Sequence, residues 1–191
     1  MSRVILDFTQ SLDGYVAGPN VSVDQPMGEG GLRLHDWILG ESPSPVDRAI
    51  QSEMFASTGA VVLGRRTFDV GIGAWEDTPY PAPSFVVTHR PLADRREKSG
   101  TFHFVGEGVE RAVALARKAA GKKVVRVLGA DVAQQLLKAG LVDEIRIQIA
   151  PILLGGGLRL FDDLGERSID LFCEGVTLGP AVTHLRYRVV R

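Results

Sequence analysis

Gly64-Arg65-Arg66-Thr67 sets two guanidinium groups directly after the apolar run Ala60 to Leu63, where a helix would begin. Two cations in a helix's first turn oppose its macrodipole, so the arrangement is poor unless an anion joins it. A phosphate reverses that sign, because first-turn N–H groups and an Arg fork both donate to it. The segment is therefore a candidate phosphate site, with a solvated Arg pair as the plainer alternative. Thr88-His89-Arg90-Pro91 repeats the theme at the end of the next apolar run, Ser84 to Thr88. It offers a hydroxyl, an imidazole and a guanidinium, or an ordinary surface turn. Leu128-Gly129-Ala130-Asp131-Val132 is a third strand-to-helix turn, where Gly129 lets backbone approach a pyrophosphate. It lacks the G-x-G-x-x-G spacing, which disfavours a Rossmann domain. Asp131 reads most simply as a helix cap; the neighbouring N–H groups are the better ligands.

Other residues carry weaker signals. Asp13 either contacts substrate or sets the Asp13-Gly14 turn. Trp37 either stacks on a ring or anchors a loop. Gly155-Gly156-Gly157 admits a ligand close to backbone or simply turns. Glu53 reads as solvent-facing. His35, His89, His103 and His184 are scattered, so no metal site is expected.

These residues need a sheet to hold them. The chain has 191 residues, enough for one domain with a sizeable core. Val4–Thr9, Ala60–Leu63, Ser84–Thr88, Thr101–Val105 and Val124–Leu128 read as strands. Glu144–Ile149 and His184–Val189 alternate strictly, the half-buried strand pattern. Ser44, Pro45 and Asp47 open a helix that Gly59 closes. Val109–Ala120 is a helix stopped by Gly121, and another runs from Gly129-Ala130-Asp131 to Gly140. Residues 18–44 form a long loop rich in Gly, Pro, Ser and Asp, expected to be mobile. The order predicts an α/β fold, mostly parallel with an antiparallel C-terminal edge and helices on both faces.

A net charge of −1 favours neither nucleic acid nor an anionic membrane, so any anion must meet a local cluster. The single cysteine, Cys173, excludes an intrachain disulfide and, beside Leu171-Phe172, reads as a buried small hydrophobe. No apolar run reaches membrane-spanning length, and the first residues do not read as a secretory leader. A cytoplasmic protein is expected.

Asp13-Gly14-Tyr15-Val16-Ala17-Gly18 and the three strand-end motifs, in this order, resemble the landmarks of the dihydrofolate-reductase-like fold. The stretch Ala139-Gly140-Leu141-Val142-Asp143-Glu144, then Pro151 to Phe161, is more specific. It resembles the reductase domain that follows the deaminase in bifunctional riboflavin-biosynthesis enzymes, and its stand-alone relatives. The resemblance covers nearly the whole chain and implies one domain over 1–191 that transfers hydride from NADPH. Arg65, Arg66 and Thr67, following Gly64, would hold the adenosine-side phosphates, the 2′-phosphate included. Thr88, His89 and Arg90 would flank the adenine ribose, Gly129, Ala130, Asp131 and Val132 would cradle the pyrophosphate, and Val16 and Ala17 would border the nicotinamide. The 18–44 loop would close over the site. Trp37, Leu154, Gly155, Gly156 and Arg159 would contact substrate, Arg159 as the cation for its phosphate. Asp13, or solvent, would supply the proton.

The resemblance also implies a ribosyl-aminopyrimidine phosphate as reference substrate and a homodimer as assembly. The chain departs from dihydrofolate reductases at the first helix, where Arg48 stands near the position of their acidic residue. No zinc-deaminase spacing accompanies the reductase landmarks. A nucleotide-binding module without turnover, a dihydrofolate-reductase-type enzyme with another substrate, and a structural dimer joined through the late strands are the rival readings.

Overall fold

The structure, a computed structural model, describes residues 2–40, 43–90, 92–166 and 168–191. Pro91, which closes the second strand-end motif, and Glu41 and Ser42 of the long loop lie outside the described residues. Strand β1 (Val4–Ser11) has parallel neighbours on both sides, β7 (Val124–Leu128) and β8 (Glu144–Ala150). Beyond β7 the parallel run continues through β3 (Thr58–Gly64), β4 (Ser84–Val87) and β6 (Thr101–Val105) to a short antiparallel β5 (Arg95–Arg96). Beyond β8 the sheet turns antiparallel through β11 (Thr183–Val189) and β10 (Leu171–Leu178). A separate ribbon pairs β2 (Tyr15–Ala17) with β9 (Leu158–Arg159).

Strand β3 shows why the central strands read as unbroken apolar runs. Ala60 and Val62 point into a core shared with α4 (Val109–Ala120) and α5 (Ala130–Lys138). Val61 and Leu63 point into a second core with Met54 of α2 (Pro45–Ser57) and Phe68 of α3 (Arg65–Trp75). Helices cover both faces, so both side-chain sets must be apolar.

Four expectations need correction. Gly59 does not end α2. Ser44 caps its start, accepting from the Asp47 N–H at 3.1 Å, but its end is made by Thr58, whose hydroxyl donates to the Met54 carbonyl at 2.6 Å. Gly59 lies in β3, at a register shift against β7. Strand β8 is not half-buried: Glu144, Arg146 and Gln148 are buried as well as Ile145 and Ile147. They are buried because they are paired, Glu144 accepting from Arg3 and Arg146, and Arg146 donating to Glu53, which is exposed as expected. Cys173 is exposed, because every residue of the edge strand β10 is exposed.

The fourth concerns the 18–44 loop, which is not a structureless strap. Residues 18–30 are tied by Gly18 N–H to the Met27 carbonyl at 2.8 Å and Glu29 N–H to the Pro19 carbonyl at 2.8 Å. A 3₁₀ turn (Gly31–His35) and the single helical turn α1 (Asp36–Leu39) follow, pinned by Leu34 and Trp37 in the second core. No helix among the described residues is long and apolar enough to cross a membrane.

Candidate active site

A cleft of about 1420 Å³ runs along the C-terminal ends of β1, β7, β3 and β4, under the loop that follows β1. Drug-sized ligand pockets hold about 300–1,000 Å³, so there is room for a dinucleotide and a second molecule together.

One end is built from two strand-to-helix turns. Gly64 opens α3 and Gly129 opens α5, and neither has a side-chain cap, so the first-turn N–H groups of both helices remain free. The turns touch: a Cβ at Gly129 would stand 2.3 Å from Thr67 Oγ1, and Gly129 has φ +90°, where side chains are strained. Three guanidinium groups line this end, those of Arg65, Arg66 and Arg90. Arg65 Nε donates to Asp69 Oδ1 at 2.7 Å, but its Nη1 is buried without a partner. Arg66 makes one long bond, 3.4 Å, to the Val21 carbonyl of the covering loop. Thr88 is buried, and its hydroxyl accepts from the Arg90 N–H at 3.0 Å, shaping the turn that presents His89 and Arg90 outward. Val16 and Ala17, buried in β2, border the same cleft.

Asp131 also lines this end but does not cap α5. The cap position falls on Gly129, so Asp131 sits inside the first turn and accepts from Gln135 Nε2 at 2.8 Å. Its carboxylate opposes an anion, which leaves the Ala130, Asp131 and Val132 N–H groups as the donors.

The other end is a chamber that sequence reasoning mostly missed. Asp7 and Thr9 of β1, Gln148 of β8, Met54 and Phe55 of α2, and Tyr80 line it together with Trp37. Trp37 Nε1 donates to Thr9 Oγ1 at 2.9 Å, so its ring is an anchored wall of the chamber. Asp7 accepts from Gln148 Nε2 at 3.0 Å and from Arg126. Arg126 is fully buried beneath the chamber and also donates to Thr58 Oγ1 and the Met54 carbonyl. Burial pushes the Tyr80 hydroxyl up to about 12, so it stays protonated. The available signal was a charge inside each of two apolar strands: Asp7 in Val4–Thr9, Arg126 in Val124–Leu128.

Asp13, Leu154, Gly155, Gly156 and Arg159 are brought together beside the cleft, next to Gly157 and Leu158, which line it. Asp13 accepts from the Leu154 N–H at 3.1 Å and the Gly155 N–H at 2.7 Å. Arg159 donates to the Asp13 carbonyl and the Tyr15 hydroxyl, both at 3.0 Å, and lies 4.3 Å from the Tyr15 ring centre. Both charged groups are thus spent on fastening the 154–159 segment. Of the glycine run, Gly157 makes the close approach: at φ +128° a Cβ there would stand 2.0 Å from the Ala17 carbonyl, while Gly155 and Gly156 face open space.

The Ser11 hydroxyl, with the Gly155 and Leu154 N–H groups, lowers Asp13 from 3.8 to about 2. A depressed carboxyl contributes stability that is complete above its ordinary value and is lost as the pH falls through the folded value. For Asp13 that window is from 3.8 down to about 2, so no titration is expected near neutral pH. In the unliganded protein Asp13 is therefore held as a carboxylate at neutral pH. A carbon-13 NMR titration of its carboxyl should give a midpoint near 2; a midpoint of 4 or higher would restore it as an acid.

A cleft along the carboxyl strand ends, closed by a loop after the first strand, defines a dihydrofolate-reductase-like fold. A dihydrofolate reductase of Enterococcus faecalis complexed with NADP(H) superposes with TM-score 0.62 at 18% identity, covering 99% of this chain and 97% of that one. The chain belongs to the RibD C-terminal domain family, which matches residues 2–185. That family is one of NADPH-dependent reductases. A Shewanella sp. PV-4 protein carrying a riboflavin-biosynthesis name is similar over 100% of both chains, with TM-score 0.76 and 25% identity. The uncharacterized protein YyaP of Bacillus subtilis is 25% identical over 173 residues, 86% of this chain and 83% of its own.

Proposed function

We propose that this protein is an NADPH-dependent reductase that transfers hydride to a small heterocyclic substrate held in the chamber. It acts as one domain over 1–191, in the cytoplasm and as a homodimer. The carrying observation is two glycine-opened, uncapped helix N-termini converging with three guanidinium groups at one end of a cleft whose other end is an aromatic chamber. The cofactor fits: the orphaned Arg65 Nη1 asks for an acceptor, and the missing Cβ at Gly129 leaves backbone open to a pyrophosphate. When bound, NADPH supplies the hydride.

The chain's residues would do the rest. Arg65, Arg66 and Thr67 hold the adenosine-side phosphates, and Thr88 sets His89 and Arg90 beside the ribose. The N–H groups of residues 129–132 hold the pyrophosphate, and Val16 and Ala17 border the nicotinamide. The 18–30 loop, fastened to Arg66, covers the site and excludes water. Trp37 and Tyr80 form the chamber wall, and a solvent proton completes the reduction. The ribosyl-aminopyrimidine phosphate that the resemblance implies is the reference substrate.

NADPH oxidation with a panel of pteridines, pyrimidines and small carbonyls tests the reading. Turnover of at least one compound, with NADPH preferred to NADH, is expected. NADPH bound without turnover of any would leave a nucleotide-binding module, and no NADPH binding would remove the reductase reading.

A further inference from the structure

We propose that the molecule reduced in the chamber is an uncharged, phosphate-free planar ring, so that this chain does not act on a ribosyl phosphate; this rests on the reductase reading. The distribution of cations carries it. Among the described residues that line the cleft, the guanidinium groups are Arg65, Arg66 and Arg90, on the turns after β3 and β4. They stand where the cofactor's phosphates would be.

Among the described residues, the buried arginines beneath the chamber are committed, and the exposed Arg33 and Arg48 lie outside its lining. Arg126 is fully buried, and its charge is neutralised by Asp7, while its other N–H groups go to Thr58, Met54 and Ser57. Arg146 is held between Glu144 and Glu53. Arg159, the cation expected from the sequence to meet a substrate phosphate, lies outside the lining on the Tyr15 ring. His35 does line the cleft, but burial lowers its imidazole and keeps it neutral.

A phosphate monoester carries about −1.5 to −2 at neutral pH. Burying it among Trp37, Met54, Phe55 and Tyr80, where no described lining residue offers a free cation, is unfavourable on desolvation grounds. An uncharged ring meets the opposite conditions. Aromatic walls take its faces and edges. The Gln148 amide nitrogen is committed to Asp7, which leaves its carbonyl oxygen to accept from a ring N–H.

Calorimetric titration with 5-aminouridine and 5-aminouridine 5′-phosphate, which share one ring, tests this, with lumazine as a bicyclic probe. Each is titrated into the bare protein and into protein saturated with NADP⁺, which prevents turnover. The nucleoside or lumazine should bind at least tenfold more tightly than the nucleotide. Gln51→Arg, on the chamber's α2 wall, should narrow that gap tenfold by supplying a free cation. The nucleotide binding as well as the nucleoside overturns the proposal. So does failure of all three compounds to bind, or a preference unchanged by Gln51→Arg. Loss of NADP⁺ binding alone, with the nucleoside still preferred by the bare chamber, removes the reductase reading and leaves the chamber's preference standing.

Discussion

Replacing Arg65 and Arg66 together by alanine is expected to weaken NADPH binding about a hundredfold and NADH binding much less. A hydrogen bond to a charged group contributes roughly 1.5–3 kcal/mol, so two full clamps would give about 3–6 kcal/mol. Arg65 is discounted because it already donates to Asp69 at 2.7 Å, and both partners of that pair are partly exposed. About 2.7 kcal/mol remains, which is roughly a hundredfold. The selective part of the loss belongs to the 2′-phosphate, which NADH lacks. The unliganded protein should behave differently. Each cation in the first turn of α3 opposes the macrodipole by roughly 0.3–1 kcal/mol, and removing both offsets the lost Asp69 pair. Melting of the free variant should therefore match wild type, while the NADPH-induced rise in Tm disappears. Nicotinamide fluorescence titration with both cofactors measures the affinities. NADPH affinity within threefold of wild type, or equal losses for both cofactors, would remove the 2′-phosphate assignment.

Local signals read well from the sequence. Strands β6 and β7 and helix α4 have the bounds the pattern gives, because their ends are set by turn residues such as Gly121 next to them in the chain. The end of the cleft where Arg65, Arg66 and Arg90 meet was legible for the same reason. Two of its motifs are a strand, a turn and a helix start within a few residues, and the third is a strand and a turn. The chamber was not legible, because its polar contacts are non-local. Asp7 meets Arg126 across 119 positions and Gln148 across 141. Only the sheet order, which sets β1 between β7 and β8, makes them neighbours. Asp13 and Arg159 show the converse. Their types suit a proton donor and a phosphate ligand, but in the fold Asp13 accepts from the Leu154 and Gly155 N–H groups, and Arg159 rests on the Asp13 carbonyl and the Tyr15 ring. The exposure of Cys173 follows from the position of β10 at the sheet edge, which its apolar neighbours Leu171 and Phe172 do not reveal.

Asp7→Ala is expected to lower stability by about 3–5 kcal/mol, because it strands Arg126 as an unpaired charge in the core. Arg126 has no exposed surface, so a water that takes the carboxylate's place must come from the chamber, which Asp7 lines. In a chain of this size about 2–4 °C is lost per kcal/mol, so Tm should fall by roughly 6–20 °C. Replacing both members, Asp7→Leu with Arg126→Met, should recover most of that loss, since no charge is then desolvated. Thr58 keeps its bond to the Met54 carbonyl without Arg126. Gln148 Nε2 loses its acceptor, which holds the recovery about 1 kcal/mol short. Thermal and urea unfolding of the two variants measure both effects. A single variant as stable as wild type would mean that the pair is not desolvated. A double variant no better than the single would mean that the shape of Arg126, rather than its charge, holds α2 to the sheet. Neither substitution falls on the turns that carry Arg65, Arg66, Arg90 and Gly129, so on the proposed reading a recovered double variant should bind NADPH as wild type does.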